Sequence, residues 1–433
     1  MRQSLERPEI DSACLKAETP IESSPISGRT PGLTAKPAVT LLTGGSDKPY
    51  VFGLSMELLS KGAVIDLIGS DELDCADFRG KPGLNFFNLR GDQRTDASLS
   101  TKVSRIIRYY AKLMRYAATA QPRIFHILWN NRFETFDRTL LMLYYRLLGK
   151  KIVLTAHNVN THRRDARDSF LNRSTLKIQY RLSDHIFVHT ERMKRELVEG
   201  YGATESSVSV IPFGINNAVP NTRLTTHEAK QRLGFANGEK TLLFFGRITP
   251  YKGLEYLIRA FLEVAARHDR YRLIIAGRPD QCDAEYWSAI CEAAREGEGQ
   301  GKILFKPEFI PDEDTEVYFK AADVLVLPYR EIYQSGVLFL GYSFGLPVLA
   351  SDVGSLKEEI IEGRTGFVFR PEDTTDLVQA IETYFSSDLY RELFIRRQEI
   401  QAYAEKQHSW DVVGRATMKV HRELVSGDFP HNP

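Results

Sequence analysis

The sequence predicts an α/β protein built from two doubly wound parallel sheets that face a cleft. Three observations carry that expectation. Short apolar runs alternate with helix-period segments along nearly the whole chain, which is the signature of βαβ units. The alternation runs twice, once on each side of residue 220. The length, 433 residues, suits two or three domains at roughly 150 residues each.

Taken in order, residues 1–37 are rich in Ser, Pro, Thr and charge and read as a disordered tail. The first domain spans 38–219. It opens on the strand Val39–Leu42, which ends in Gly44 and Gly45. A helix follows over Phe52–Lys61 with Gly62 as its stop, and AVIDLIG gives a second strand. An amphipathic helix covers Leu99–Thr119. Val103, Ile106, Ile107, Tyr110, Leu113, Met114 and Ala117 form its apolar face, and Lys102, Arg105, Arg108, Lys112 and Arg115 lie opposite. Next come strand Ile124–Leu128, helix Thr139–Leu148, strand Ile152–Ala156 and helix Ser174–Arg181. Strand His185–His189, a helix from Glu191 and strand Val208–Pro212 complete this half. The second domain, 220–405, has strands TLLFFG, YRLIIAG, KILFK, ADVLVLP and PVLAS with helices between them. Residues 406–433 form a closing helix and tail.

Composition places the chain among globular enzymes: 42% hydrophobic and 26% charged, with a net charge of +1. That charge is uneven, because residues 101–200 carry 20 Lys+Arg against 8 Asp+Glu. Such a half suits an anionic partner, although no nucleic-acid motif accompanies it. No apolar run reaches the ~18 residues that span a bilayer, and MRQSLERPEI has no apolar leader core. Cys14, Cys75, Cys282 and Cys291 are scattered, so neither a zinc site nor a disulfide framework is expected, and a reducing cytoplasm is the expected compartment.

Two motifs point to chemistry. In FFGRITPYKG a strand ends at Gly246, followed by Arg247 and then Lys252 just before a helix. Two cations at the carboxyl edge of a sheet suit a phosphate or diphosphate, Arg as a fork and Lys as a point charge. In QSGVLFLGYSFGLPV a turn containing Ser335, Gly336 and Val337 feeds a helix N-terminus. There bare N–H groups and the helix dipole favour an anion.

The second half resembles the nucleotide-sugar-binding domain of the retaining GT-B glycosyltransferases, the large family that includes bacterial mannosyl- and glucosyltransferases. The resemblance rests on FFGRITPYKGLEYLIRAF, LIIAGRP, ADVLVLPY, SGVLFLGYSFGLPVLASDVGSLKEEI and GRTGFVF. The first half resembles the same family more weakly, in its GG loop, IFHI, VLTAHN and VIPFGIN. SWDVVGRATMKVHREL resembles the closing helix that crosses back to the first domain. The resemblance implies two Rossmann-like domains and retaining transfer of a sugar from a nucleoside diphosphate sugar. It implies no metal and no cofactor beyond that co-substrate, of UDP or GDP type. Arg247 and Lys252 would neutralise the leaving diphosphate. Ser335, Gly336 and Val337 would hold its distal phosphate, and Gly45 and the segment KPEFIPDED with Phe309 would also line the donor site.

One departure stands out. The family places a pair of glutamates around this turn, one supporting the donor sugar and one binding ribose. Aligning GLPV puts Ile332 and Leu340 there, with Glu331 one residue early as a substitute for the first acid. His157, ending a strand in TAHNVN, and His126, in IFHIL, are the candidate catalytic histidines, while His185 and His189 read as structural. Asn130, Asn131 and Arg163 are candidate acceptor contacts. The acceptor is expected in polysaccharide or glycolipid assembly. A lipid-linked acceptor at the inner face of the membrane would suit the basic helix Leu99–Thr119. A sugar-nucleotide epimerase of the same fold and a non-catalytic sugar-nucleotide binder stay open as alternatives.

Overall fold

The computed structural model describes residues 37–44, 48–93, 98–164, 168–215, 219–280, 282 and 284–427. Of the tail expected over 1–37 only Pro37 is among them, and the end of the chain past 427 also lies outside them.

The first sheet has seven parallel strands: β1 (Ala38–Leu42), β2 (Val64–Gly69), β3 (Leu84–Asn88), β4 (Ile124–Ile127), β5 (Lys151–Thr155), β6 (His185–Val188) and β7 (Val208–Val210). Their order is β3-β2-β1-β4-β5-β6-β7. The second has six: β8 (Lys240–Phe245), β9 (Tyr271–Ala276), β10 (Ile303–Lys306), β11 (Val324–Leu327), β12 (Val348–Ser351) and β13 (Gly366–Phe369), in the order β10-β9-β8-β11-β12-β13. Inner strands such as VLVL, and the central IVL of KIVLT, are continuously apolar because helices cover both faces. Each sheet reverses direction once, between β1 and β4 and between β8 and β11. A doubly wound sheet binds ligands outside the carboxyl ends of the strands at that switch. The turns carrying Gly44, Trp129, Arg247 and Ser335 all follow these four strands.

β3 and β13 add a strand each to the expected set. The helix expected from Thr139 starts at Glu134, passes through a π-turn over Asp137–Leu141 and ends at Leu147. The helix expected from Ser174 starts at Phe170, capped by the Ser169 side chain.

The helix Leu99–Thr119 is rolled away from the expected orientation. It buries Tyr109, Leu113 and Ala117, while Val103, Ile107 and Met114 of the expected apolar face are exposed. The reason is local. The sheet side accepts Tyr116, whose hydroxyl donates to Asp66 Oδ2 at 2.6 Å, and Tyr109, whose hydroxyl donates to Asn131 Oδ1 at 2.6 Å.

The closing helix Trp410–Ser426 packs on the first sheet's body. Trp410 is its pin: its indole N–H donates to the Ile215 carbonyl at 2.9 Å, and a Cβ at Gly53 would lie 1.9 Å from its ring. Lys61 and Asp411 add an ion pair at 2.6 Å between helices Lys48–Ser60 and Trp410–Ser426. The two sheet bodies also touch directly. Arg192 donates to the Gly354 carbonyl at 2.9 Å, Tyr333 donates to Glu196 Oε1 at 3.2 Å, and Phe213 stacks on Phe339 at 5.4 Å.

Candidate functional site

The second sheet's switch point gathers one basic cluster. β8 runs into Gly246 and then a short turn, Pro250–Lys252, that brings Lys252 back under the strand end. Gly253 ends this turn with φ of +62°, and a Cβ there would sit 2.1 Å from the Pro328 carbonyl oxygen, so glycine alone fits. Lys252 is buried, and its Nζ lies 5.6 Å from the Tyr329 ring centroid. A Cβ on Gly246 would meet Lys252 Nζ at 3.1 Å and Val337 Cγ2 at 3.5 Å. Lys252, Gly246, Tyr329 and Val337 therefore line one spot. Ser335 shares a hydrogen bond with the Tyr329 hydroxyl at 3.3 Å and is the N-cap of the helix Gly336–Ser343. Among the described residues no side chain caps that helix; the Leu338 N–H donates to the Ser335 carbonyl at 3.2 Å, and the Gly336 and Val337 N–H groups are left for a ligand.

Arg247 is placed differently. Its side chain is 63% exposed and paired with Asp280 at 2.9 Å. Phe309 is also exposed, with the Arg278 guanidinium 6.0 Å from its ring centroid. Glu331 points to solvent, whereas Ile332 and Leu340 are core residues. One acid does reach the turn: Glu359 accepts from Gln334 Nε2 at 3.1 Å and lies 3.3 Å from His408 Nε2.

The first sheet presents a neutral, aromatic edge. His157, at the end of β5, stacks on Trp129 at 4.2 Å with the planes 8° apart. Tyr50 meets it edge-on at 4.6 Å, and Phe213 lies 6.0 Å away. His189 Nδ1 faces the Ile211 carbonyl at 3.2 Å, and its Nε2 faces His157 Nδ1 at 2.9 Å. The carbonyl can only accept, so His189 carries its proton on Nδ1 and accepts at Nε2. His157 must then donate from Nδ1, which leaves Nε2 as a lone pair. That atom is buried and has no hydrogen-bond partner among the described residues. Burial, with the nearby His189 and His126, holds His157 well below the ordinary histidine range, and burial brings His189 to about 4. The pair is neutral at physiological pH. His189, read from sequence as structural, is the residue that sets the tautomer of His157.

His126, the other candidate histidine, is placed apart from His157. It is fully buried inside β4, with Nε2 2.8 Å from Thr155 Oγ1 and its ring 5.3 Å from that of His421 on the closing helix. It packs the sheet on the closing helix. Asn130 exchanges hydrogen bonds with Gln179 at 2.7 and 3.3 Å. Asn131 accepts from Tyr109 and donates to Asp137 Oδ1 at 3.2 Å. The Gly45 backbone and the Arg163 side chain lie outside what is described.

A cavity of about 240 Å³ opens between the ends of β4 and β5, lined by Trp129, Asn130, His157 and Arg138. Arg138 was missed by sequence reasoning. It is buried, donates to Asn172 Oδ1 at 2.7 Å and pairs with Glu134. Its only sequence signal is an arginine inside a helix whose neighbours Leu141, Met142 and Tyr145 are core residues.

The two edges meet at Phe213. Its ring touches the His157 group on one side, and on the other lies 3.7 Å from where a Gly336 Cβ would be. Among the described residues no group of three or more His, Cys, Asp or Glu could hold a metal ion.

Comparison with known proteins gives a consistent result. Residues 49–219 match the family model described as Glycosyltransferase Family 4, and residues 239–387 that described as Glycosyl transferases group 1. Among curated relatives, a D-inositol 3-phosphate glycosyltransferase of Nocardia farcinica is 33% identical over 204 residues, 46% of this chain and 44% of that protein. An uncharacterized glycosyltransferase of Methanocaldococcus jannaschii is 29% identical over 245 residues, 55% of this chain and 60% of that protein. The chain thus spans about half the length of the curated relatives it matches. Among solved structures, a sucrose-phosphate synthase from Thermosynechococcus elongatus aligns with TM-score 0.72 and 18% identity, covering 90% of this chain and 100% of that one. Anabaena HepE in complex with UDP-glucose aligns with TM-score 0.67 and 16% identity, covering 90% and 99%. At that identity these likenesses show the fold alone.

Proposed function

The chain belongs to the GT-B glycosyltransferases of group 1, and on that premise we propose that it moves a sugar from a nucleoside diphosphate sugar to an acceptor hydroxyl with retention of configuration. The observation that carries the reading is the meeting at Phe213 of a cationic, anion-ready turn and a neutral histidine with an unpartnered nitrogen.

In this reading Lys252 and the N–H groups at Gly336 and Val337 receive the diphosphate. Arg247 exchanges Asp280 for a phosphate oxygen. Negative charge grows on the diphosphate as the glycosidic bond breaks, so these groups stabilise the transition state more than the ground state. His157 Nε2 accepts a hydroxyl of the transferred sugar, and Trp129 offers that sugar an apolar wall. The acceptor oxygen bonds to the anomeric carbon on the face the diphosphate leaves, and its proton passes to a diphosphate oxygen. The reaction draws on no cofactor beyond the nucleotide sugar. A UDP or GDP donor fits this scheme; HepE was solved with UDP-glucose.

The acceptor is taken to belong to polysaccharide or glycolipid assembly, in the cytoplasm and at the inner face of the membrane. Among the described residues no helix is long and apolar enough to cross a membrane. Ile107, 65% exposed, stands beside the exposed Val103 and Met114, and the neighbouring helical segment exposes Leu140, Leu143 and Leu147. Arg108, Lys112 and Arg115 are exposed on the same helix as Ile107. An apolar strip flanked by bases suits peripheral docking on anionic lipid.

A second reading, a sugar-nucleotide binder without turnover, is favoured by one observation. Leu340 and Ile332 fill core positions where ribose and sugar would otherwise meet acids. Calorimetry with UDP, GDP and ADP, followed by a donor-turnover assay, separates the two. The transferase reading expects one nucleotide to bind, binding to be lost in Lys252→Ala, and donor to be consumed when acceptor is present. Binding without donor consumption across an acceptor panel would leave the binder.

A further inference from the structure

A second basic pocket lies on the carboxyl edge of the first sheet, on the β3 side. Its volume is about 260 Å³. Four cations line it from three separate segments: Arg90 after β3, Lys102 and Arg105 from the first turns of the helix Leu99–Thr119, and Arg132 after β4. Asp92 is the one lining acid among the described residues, and it is engaged by Arg105, whose Nη1 lies 3.8 Å from Asp92 Oδ2 and donates to the Asp92 carbonyl at 2.6 Å. Lys102 and Arg132 have no acid partner among the described residues. Arg90 is the decisive group. Its guanidinium lies 5.4 Å from the Tyr109 ring centroid, and its Nη1 is buried with no hydrogen-bond partner among the described residues. A buried guanidinium N–H without an acceptor is costly, and an anion in the pocket removes that cost.

The wall behind is fixed. Tyr109 donates to Asn131, Asn131 donates to Asp137 Oδ1, and Tyr110 donates to the same oxygen at 2.8 Å. Asn131 thereby faces the pocket in a set orientation. It is two residues from Trp129, which stacks on His157.

We propose that this pocket is the acceptor's anion subsite and takes a phosphomonoester or phosphodiester group carried by the acceptor. The proposal rests on the transferase reading and names the chemistry of its second substrate. Three cations in excess of the lining acid favour a phosphate over a single carboxylate, and the arginine forks match its oxygens. The phosphate anchors the acceptor on the β3 side, and its hydroxyl-bearing part extends past Asn131 toward His157.

The test is calorimetry on the full chain with inorganic phosphate, glucose 6-phosphate and glucose. Flotation with phosphatidylglycerol vesicles forms a parallel arm. UDP and GDP binding serve as the control for an intact fold. Phosphate and glucose 6-phosphate are expected to bind, glucose is not, and Arg90→Met and Lys102→Met should each weaken binding at least tenfold with nucleotide binding unchanged. Vesicle binding lost in both variants, without binding of the soluble phosphates, would assign the subsite to a lipid headgroup. Lys102 is half-buried, so Lys102→Met carries the test if Arg90→Met fails to fold. No phosphate-bearing probe bound, or binding undiminished in the variants, overturns the proposal. Vesicle binding that persists in both variants also overturns it and belongs to the exposed apolar strip. Loss of nucleotide binding by the wild-type protein, with phosphate still held in this pocket, would sink the transferase reading and leave the subsite standing.

Discussion

After β8 the chain supplies Arg247 and Lys252; after β5 it supplies His157, stacked on Trp129 and keyed to His189. Both segments occupy carboxyl edges near a switch point, so topology treats them alike, yet their chemistry is opposite. The second sheet's edge is cationic and rich in bare backbone N–H, suited to an anion. The first sheet's histidine edge is neutral and aromatic, suited to hydroxyls and a sugar face. A cleft built this way separates tasks: charge stabilisation falls to one body, recognition of the neutral ring to the other. The cost of the neutral edge is a set of histidines that must stay unprotonated.

That cost gives the largest expected effect. His126, His185, His189 and His421 are all buried in the first body, and burial depresses each; His185 and His189 lie at about 4 and His421 at about 3. In the unfolded chain a histidine titrates near 6.5. Below that pH the unfolded state takes up protons that the folded state refuses, so stability is full above about 6.5 and falls as pH drops toward 4. Each such histidine costs about 2 kcal/mol between pH 6.5 and 5. In the second body His227 and His268 are exposed, and the buried His408 has the Glu359 carboxylate 3.3 Å from its Nε2 to receive a proton's charge. Hydrogen exchange at pH 5 should therefore show the first sheet opening ahead of the second. Equal loosening of both sheets would break the comparison. Next in size, Lys252→Ala should lower kcat/KM by 100- to 1,000-fold, about 3–4 kcal/mol of transition-state stabilisation, with Tm little changed. A loss below tenfold would mean that Lys252 does not meet the diphosphate.

Much of this contrast was legible in the sequence. TLLFFGRITPYKG shows an apolar strand, a glycine and two cations before a helix, and each follows from local chemistry. The separate fates of Arg247 and Lys252 did not show, because the Asp280 that holds Arg247 comes from the segment after β9. Nor could sequence separate His126 from His157. Both sit near strand ends, but His126 lies one register step inside β4, opposite Leu41 and Val153, and faces His421, some three hundred residues away along the chain. β3 was missed because LNFFN is a half-exposed edge strand with asparagine at two of its five positions. The roll of the helix Leu99–Thr119 was hidden for another reason. Tyr109 and Tyr116 win the buried side through hydrogen bonds to Asn131 and Asp66, which an apolar-face count ignores. Arg90 went unnoticed because its three companion cations come from two other segments.

The histidine pair offers a smaller and more specific test. His157→Ala should reduce kcat by about 30- to 100-fold, while KM for the acceptor changes little, because the lost hydrogen bond belongs to the transferred sugar. His189→Phe keeps an aromatic neighbour but removes the acceptor for His157 Nδ1–H. It frees the tautomer of His157 and should cost about tenfold in kcat, with the nitrogen shifts of His157 in NMR reporting the change. Unchanged shifts in His189→Phe would show that the pair does not fix the proton.

The smallest effect is the sharpest probe of the cationic edge. Gly336 has ordinary backbone angles, and a Cβ there would meet only the Phe213 ring at 3.7 Å, an ordinary contact. Gly336→Ala should then leave Tm within about 1 °C, since alanine has the higher helix propensity. The methyl nevertheless stands beside the N–H groups that receive the distal phosphate. Nucleotide diphosphate binding should weaken three- to tenfold, and nucleoside binding should not change, since the effect falls on the phosphates alone. The contrasting variant is Gly253→Ala, where φ is +62° and the Pro328 carbonyl oxygen leaves no room. It should lower Tm by several degrees as well as binding. If Gly336→Ala left diphosphate affinity untouched, the helix N-terminus would have no part in holding the donor, and the cationic edge would reduce to Lys252 and Arg247.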